Sequence, residues 1–257
     1  MTLADAAIGV AIGLVAGILA GMFGVGGGIV MTPAIDAALP VPPIQAIATP
    51  LPVIFPTSIT GAYTYAKAGE VDRRAAAWMA SLGLVGAVFG AFGTEVVDAT
   101  WLLFVTAALL AWQSIGIIRG PKPSRTGHMR AATTSPSAYA AIGFAAGAVS
   151  GLLGIGGGLI MVPLLSGWCG MPLKRALGTS LLTIPALVIP GTLVHAWLGN
   201  IDWPLALWLT LGAVPGARIG ATIALATRDK TLRRVVGSGM LAIAVLYAAQ
   251  QLVTLFA

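Results

Sequence analysis

The chain of 257 residues is 58% hydrophobic and only 9% charged. Soluble domains carry about 25% charged residues, so this composition excludes an ordinary soluble domain and indicates an integral membrane protein. The net charge of +6 is assigned below to loops between apolar segments, and no nucleic-acid partner is predicted. One cysteine and two histidines exclude an internal disulfide and argue against a zinc site, and we predict neither a metal nor a cofactor.

Apolar segments recur along the whole chain and predict membrane helices, because they lack the alternation typical of outer-membrane strands. The first four segments cover about residues 6–39, 46–66, 75–93 and 100–118, and the last four cover 138–168, 176–198, 204–226 and 235–256. A stretch rich in proline, serine and basic residues separates the two sets. The predicted organisation is a first repeat at 1–118, a cytoplasmic linker at 119–137 and a second repeat at 138–257.

One glycine-rich sequence occurs twice, at Gly21–Pro33 and at Gly151–Pro163, an offset of 130 residues. The same offset holds without a gap from about residue 11 to residue 91, and it pairs Thr49 with Thr179. We therefore interpret the chain as a duplicated membrane bundle, an organisation that is common in transporters.

Each copy contains a cluster of glycines that a stable helix does not tolerate, since each glycine costs close to 1 kcal/mol relative to alanine. The clusters are Gly24, Gly26, Gly27 and Gly28 in the first copy, and Gly154, Gly156, Gly157 and Gly158 in the second. A break inside hydrocarbon leaves bare N–H and C=O groups, so the clusters indicate a backbone site, with close helix packing as the alternative. Packing is the better interpretation for the glycines spaced by four, which are Gly13, Gly17, Gly21, Gly143, Gly147 and Gly151.

The basic residues decide between two topologies. Eight full crossings divide the loop lysines and arginines seven to six between the two sides, without bias. If each glycine-broken segment is instead a re-entrant hairpin, each repeat has three crossings and the second repeat is inverted. Thirteen of the fourteen basic residues then lie on one side, which the positive-inside rule makes cytoplasmic. The predicted fold is thus an all-α polytopic membrane protein with two inverted-topology repeats, each a hairpin plus three transmembrane helices, and with both termini periplasmic.

A glycine-rich turn that opens a helix exposes N–H groups at the positive end of the helix dipole, which suits an anion. Two such hairpin tips entering from opposite sides should approach each other near the membrane midplane. The sequence therefore predicts a pseudo-symmetric cradle for a small anion. The soluble phosphate-loop motif does not fit, because no Lys-Ser/Thr follows the glycines.

The doubled GxxGxGGGxxxxP motif, together with Gly178-Thr-Ser180, Gly199–Trp203 and Pro215–Ala217 in the second half, resembles the sulfite exporter TauE/SafE family. The resemblance covers nearly the whole chain apart from the linker. It implies a bacterial inner-membrane carrier for sulfite, an organosulfonate or a related sulfur oxyanion. By position, the resemblance implies that Thr49 and Thr179 are pore-side residues. The first copy has Ala48-Thr-Pro50 where the second has Gly178-Thr-Ser180, so the two half-sites need not be equivalent.

Three further side chains are candidates for function. Arg218, in the middle of an apolar segment, is predicted to contact substrate, with a structural arginine bonded to freed carbonyls as the alternative. His195 could accept a coupled proton or could be a hydrogen-bonded interfacial residue, and Asp36 could be a helix cap or a pathway carboxylate. The hydroxyls of Thr57 and Ser58, which follow Pro56, are expected to bond the kinked backbone rather than an anion.

We predict a secondary transporter, not an enzyme, that exports a small sulfur-containing anion by alternating access around the glycine tips. The lipid bilayer and a possible coupled proton or ion are the other expected partners. An uptake carrier or channel for a similar anion, an intramembrane enzyme and a non-transporting assembly subunit are the alternatives. The anion, the direction and the oligomeric state do not follow from the sequence.

Overall fold

The computed structural model describes residues 3–93, 111, 114–115, 135–153 and 155–256. Every regular element in these residues is a helix. The helices are α1 (Leu3–Phe23), α2 (Gly28–Ala38), α3 (Pro43–Ala48), α4 (Pro50–Lys67), α5 (Arg73–Gly93), α6 (Pro136–Leu153), α7 (Gly158–Pro163), α8 (Leu173–Trp197), α9 (Trp203–Ala226) and α10 (Asp229–Phe256). Helix α7 continues into a π-helical turn, Leu164–Trp168. Most of the predicted fourth segment and most of the predicted linker lie outside the described residues.

Three of the described helices are long and apolar enough to cross a membrane, namely Ala4–Phe23, Leu173–Trp197 and Trp203–Ala226. The arm that follows the first glycine cluster, α2, has only 11 residues. At 1.5 Å per residue it reaches about half of a ~30 Å hydrocarbon core. The prediction of a helical, multi-pass membrane protein is confirmed, whereas the re-entrant and inverted arrangement stays a prediction.

Both glycine clusters interrupt a helix, as the sequence predicts. The N-terminal cap of α2 is Gly27 with φ 96°, and the cap of α7 is Gly157 with φ 72°. These left-handed conformations favour glycine because a Cβ atom would crowd the backbone. The predicted segment 46–66 is also divided, since α3 ends at Ala48 and α4 begins at Pro50.

Two tightly packed helix pairs form the sides of the bundle. Helix α1 packs along α9, where a Cβ atom added to Gly17 would collide with the backbone of Ala213. Helix α6 packs along α5, where Gly147 lies against the backbone of Gly83 in the same way. The packing role predicted for the glycines spaced by four is confirmed at Gly13, Gly17, Gly21, Gly143 and Gly147. Each pair joins one helix from each half of the chain.

Helices α4 and α8 form the centre, between the two pairs. Gly61 of α4 packs against Leu181 of α8, and Gly191 of α8 packs against Leu51 of α4. These contacts are equivalent under the 130-residue offset of the repeat. The two central helices therefore meet through matching surfaces, which brings equivalent residues of the two halves together.

Candidate functional site

The two glycine loops, described over residues 24–28 and 155–158, come together around two isoleucines of the central helices. A Cβ atom built on Gly26 lies 2.8 Å from Ile54 Cγ2 and 3.3 Å from Ile184 Cγ2. A Cβ atom built on Gly156 lies 3.3 Å from Ile184 Cγ2 and 3.5 Å from Ile54 Cγ2. Ile54 and Ile184 are themselves equivalent in the repeat and are fully buried. The two loops are therefore neighbours in the described residues, which include every predicted glycine except Gly154. Their entry from opposite sides and their meeting at the membrane midplane stay predictions.

The backbone of both loops carries buried N–H groups that lack an acceptor in the described residues. The Gly27 carbonyl accepts the N–H groups of Val30 and Met31, both at 3.1 Å, and the Gly157 carbonyl accepts those of the corresponding residues of α7. Among the described residues, no acceptor is found for six buried loop N–H groups, which belong to Gly26, Gly27, Gly28, Gly156, Gly157 and Gly158. Buried N–H groups without partners are rare in proteins, and these six groups are able to donate to a bound acceptor.

Two side chains hold the first loop and its preceding helix end. Tyr65 Oη donates to the Gly21 carbonyl at 3.0 Å, and Ser180 Oγ donates to the Gly24 carbonyl at 2.8 Å. Sequence reasoning assigned neither contact, although Ser180 belongs to a motif that differs between the two halves. That difference was the available signal. Ser180 is equivalent to Pro50 in the repeat, and a hydroxyl in only one of the two copies indicates that the copies have different roles there.

Thr49 and Thr179, predicted to be pore-side residues, join the two halves of the bundle. Thr179 Oγ1 accepts the backbone N–H of Asp72 at 2.9 Å, and Thr49 Oγ1 accepts that of Asp202 at 3.2 Å. The carboxylate of Asp202 in turn accepts the N–H of Leu205 and caps α9. Both threonine hydroxyls keep a proton to donate, so their predicted contact with substrate stays a prediction.

The three other candidates lie in different surroundings. Arg218 is exposed on α9, whereas the described tip glycines are buried, so a contact with substrate would require this exposed face to line the transport path. His195 is half-buried and its Nδ1 lies 3.3 Å from the Asn200 side-chain nitrogen. Asp36 is exposed near the end of α2. The structure does not bring these three together with the loops, and their functional roles stay predictions.

The expected role of two hydroxyls in α4 is confirmed. Thr57 Oγ1 donates to the Val53 carbonyl at 2.6 Å, and Ser58 Oγ donates to the Ile54 carbonyl at 2.7 Å. Proline lacks an N–H group, and these hydroxyls bond carbonyls of the turn around Pro56. They are consequently engaged with their own helix.

Comparison with known proteins identifies the family. The model of the family described as "Sulfite exporter TauE/SafE" matches residues 9–247. The chain belongs to the TauE/SafE family. The resemblance of the doubled glycine motif to this family is thereby confirmed.

Relatives of this TauE/SafE protein occur in bacteria and archaea. A "probable membrane transporter protein" of Xylella fastidiosa is 28% identical over 249 residues, 95% of each chain. The probable membrane transporter protein YunE of Bacillus subtilis is 29% identical over 235 residues, covering 82% of this chain and 85% of the relative. MJ0441 of Methanocaldococcus jannaschii, with the same description, is 25% identical over 232 residues, 84% and 85% of the two chains. No solved structure matches the chain significantly. The family and these names describe membrane transporters and not enzymes.

The threonine contacts give the first testable prediction. We expect Thr179→Val in the TauE/SafE protein to lower the free energy of unfolding by about 1–2 kcal/mol, because the Asp72 N–H loses its acceptor. The matched control is Thr183→Val, whose hydroxyl donates only to the Thr179 carbonyl within its own helix. Melting temperatures of the two purified variants in detergent test this, and equal values would show that the contact between the halves contributes no stability.

Proposed function

We propose that the protein is an inner-membrane secondary transporter that exports a small sulfur-containing anion, sulfite or an organosulfonate, by alternating access around the two glycine loops. The single observation that carries the proposal is the set of buried, unpaired N–H groups on both loops. An anion supplies the acceptors that these groups lack. The surrounding isoleucines exclude water, which strengthens such hydrogen bonds.

The N–H groups of the two loops indicate the charge of the proposed substrate. Six buried backbone donors lie on the two loops, and the carbonyls of Gly27 and Gly157 already accept N–H groups of their own helices. An oxyanion with several exposed oxygens can accept hydrogen bonds from both loops, whereas a cation cannot accept a hydrogen bond. The family description, which names sulfite, supports a sulfur oxyanion.

We further propose the inverted topology with re-entrant hairpins, and an ion pair supports it. Arg175 Nε, at the start of α8, lies 3.9 Å from Glu70 Oε2, so the loop before α8 and the loop that contains Glu70 lie on the same side of the bundle. Eight full crossings would place the two loops on opposite sides of the membrane. The inverted arrangement places both in the cytoplasm, together with the linker 119–137, and leaves both termini in the periplasm.

Cysteine labelling in intact cells tests this topology. In a Cys169→Ala background, we expect Val97→Cys and Ile201→Cys to react with an impermeant thiol reagent from the periplasm. Val71→Cys, Thr126→Cys and Lys230→Cys should be protected until the membrane is opened. If positions 71 and 201 react from the same side, the inverted arrangement is wrong.

The packing of the bundle suggests which parts move. In α1 and α9 the backbones touch at glycines, as they do in α5 and α6, and such surfaces cannot slide without separating. We therefore propose that each of these pairs moves as one body and that the glycine loops alternate their exposure between the two bodies. Because the sequence holds no ATP-binding motif, the anion gradient, the membrane potential or a coupled proton or ion must drive transport.

A ligand screen on the purified protein tests the proposal. Sulfite, thiosulfate, sulfoacetate, taurine, sulfate and simple carboxylates would each be added in a thermal unfolding assay. A ligand at 100 times its Kd stabilises the native state by about 2.7 kcal/mol, so a substrate should raise the melting temperature by several degrees. Stabilisation by none of these anions would contradict an anion site at the loops.

A further inference from the structure

Ser150, at the end of α6, carries a buried hydroxyl without a partner. The residue is 3% exposed, and its Oγ is the one buried side-chain nitrogen or oxygen atom in the described part of the chain that makes no hydrogen bond. The hydroxyls of Thr57, Ser58, Ser180 and Thr183 are buried too, but each donates to a carbonyl. A polar group buried in this way destabilises the protein unless something bonds to it.

Ser150 lies on the part of α6 that packs beside the second glycine loop. A Cβ atom built on Gly157 lies 2.7 Å from the carbonyl oxygen of Ala146, which is one helical turn before Ser150. Side chains of a helix lean toward its N-terminus, so Ser150 lies over the turn that Gly157 contacts. The first repeat shows the same neighbourhood, because a Cβ built on Gly27 lies 3.3 Å from the Cβ of Ala20, the counterpart of Ser150.

The two halves differ at this position. The first loop has the apolar Ala20 beside it and is held by Tyr65 and Ser180. The residues equivalent to Tyr65 and Ser180 in the repeat are His195 and Pro50. The ring nitrogen Nδ1 of His195 pairs with the side-chain nitrogen of Asn200. The second loop therefore has a free side-chain donor beside it where the first has none.

We propose that Ser150 binds the transported anion, its hydroxyl donating to an anion oxygen beside the N–H groups of the second glycine loop. This inference rests on the proposed function. It adds that the anion is bound asymmetrically, nearer the second loop than the first. The ligand class is an oxyanion, whose several oxygens can accept from the hydroxyl and from the loop N–H groups.

The test is Ser150→Ala in the full-length purified protein, with sulfite as the probe and Kd measured by calorimetry. We expect the Kd for sulfite to rise about tenfold, which corresponds to ~1.4 kcal/mol. Without ligand, the melting temperature should stay the same or increase, because alanine removes an unpaired buried hydroxyl. The matched control is Ser180→Ala, which loses the bond to the Gly24 carbonyl and should lower the ligand-free melting temperature.

The outcomes separate this inference from the function on which it rests. If the wild-type protein binds sulfite and Ser150→Ala binds it within about twofold, the inference is overturned whatever the melting temperature, and the proposed function stands. If the wild type binds none of the anions screened above, both fail. Should the alanine variant not fold, Ser150→Cys, which is similar in size but a weak donor, is expected to show the same loss of affinity.

Discussion

Replacing Gly157 by valine should abolish anion binding in a protein that still assembles. Gly157 has φ 72°, and a Cβ atom there would lie 2.7 Å from the Ala146 carbonyl oxygen and 2.8 Å from Leu187 Cδ1. Valine therefore forces the second loop out of its left-handed conformation, which redirects the neighbouring N–H groups. A binding site made of backbone donors cannot survive that rotation, and we expect affinity to fall by at least a hundredfold.

Gly199→Val is the matched control for this experiment. Gly199 has nearly the same backbone conformation, φ 71°, but nothing lies within 4 Å of its added Cβ atom. Both variants carry the strain of a branched residue at positive φ, and only Gly157→Val alters a glycine loop of the site. Ligand-induced thermal stabilisation would be compared for the two. Equal affinity of folded Gly157→Val and wild-type proteins would move the anion site elsewhere.

The largest effect on folding is expected from Gly17→Val. A Cβ atom at this position would overlap the backbone carbonyl of Ala213, and a backbone cannot move aside as a flexible side chain does. Helices α1 and α9 would have to separate along their length, with the loss of their packing. We expect destabilisation of about 3 kcal/mol or more and no folded protein in a detergent extract.

Leu14→Val provides the comparison, because the backbone of Leu14 lies against Gly212 and Gly216 of α9 whereas the residue is 36% exposed. Shortening its side chain therefore leaves the backbone contact in place. Size-exclusion chromatography of the extracted proteins measures the folded fraction of each variant. We expect Leu14→Val to elute like the wild type. A monodisperse Gly17→Val protein with an unchanged melting temperature would contradict the close contact between α1 and α9.

The sequence was sufficient to predict features that depend on local pattern. Clustered glycines such as Gly26 and Gly27 break a helix wherever they stand, and glycines spaced by four, such as Gly13 and Gly17, make one flat face. The repeat then predicted that both loops share one environment. These inferences needed no knowledge of which helices are neighbours.

Contacts between distant segments could not be predicted in the same way. Nothing in the pattern says that α1 pairs with α9 of the other repeat, or that Tyr65 reaches the Gly21 carbonyl. Arg218 illustrates a second limit. In a membrane helix the lipid-facing and core-facing sides are both apolar, so hydropathy does not tell which side a lone arginine occupies, and the structure places it on the exposed one.

Ser150 illustrates a third limit. In the sequence it is one small residue among many, next to Gly151. Its counterpart Ala20 is likewise a small residue next to a glycine. Its interest comes from a hydroxyl that is buried and unbonded, which is a property of the packed structure alone. The comparison of the two repeats, position by position, would have been the one available signal.

Sulfite flux in proteoliposomes tests the central claim most directly. Wild-type protein would be reconstituted beside Gly157→Val and Gly199→Val, and radiolabelled sulfite would be followed into vesicles preloaded with unlabelled sulfite. We predict saturable exchange for the wild type and for Gly199→Val, and a rate equal to that of protein-free vesicles for Gly157→Val. Wild-type vesicles that exchange sulfite and the other anions no faster than protein-free vesicles, or equal exchange by the wild type and Gly157→Val, would contradict anion transport through the glycine loops.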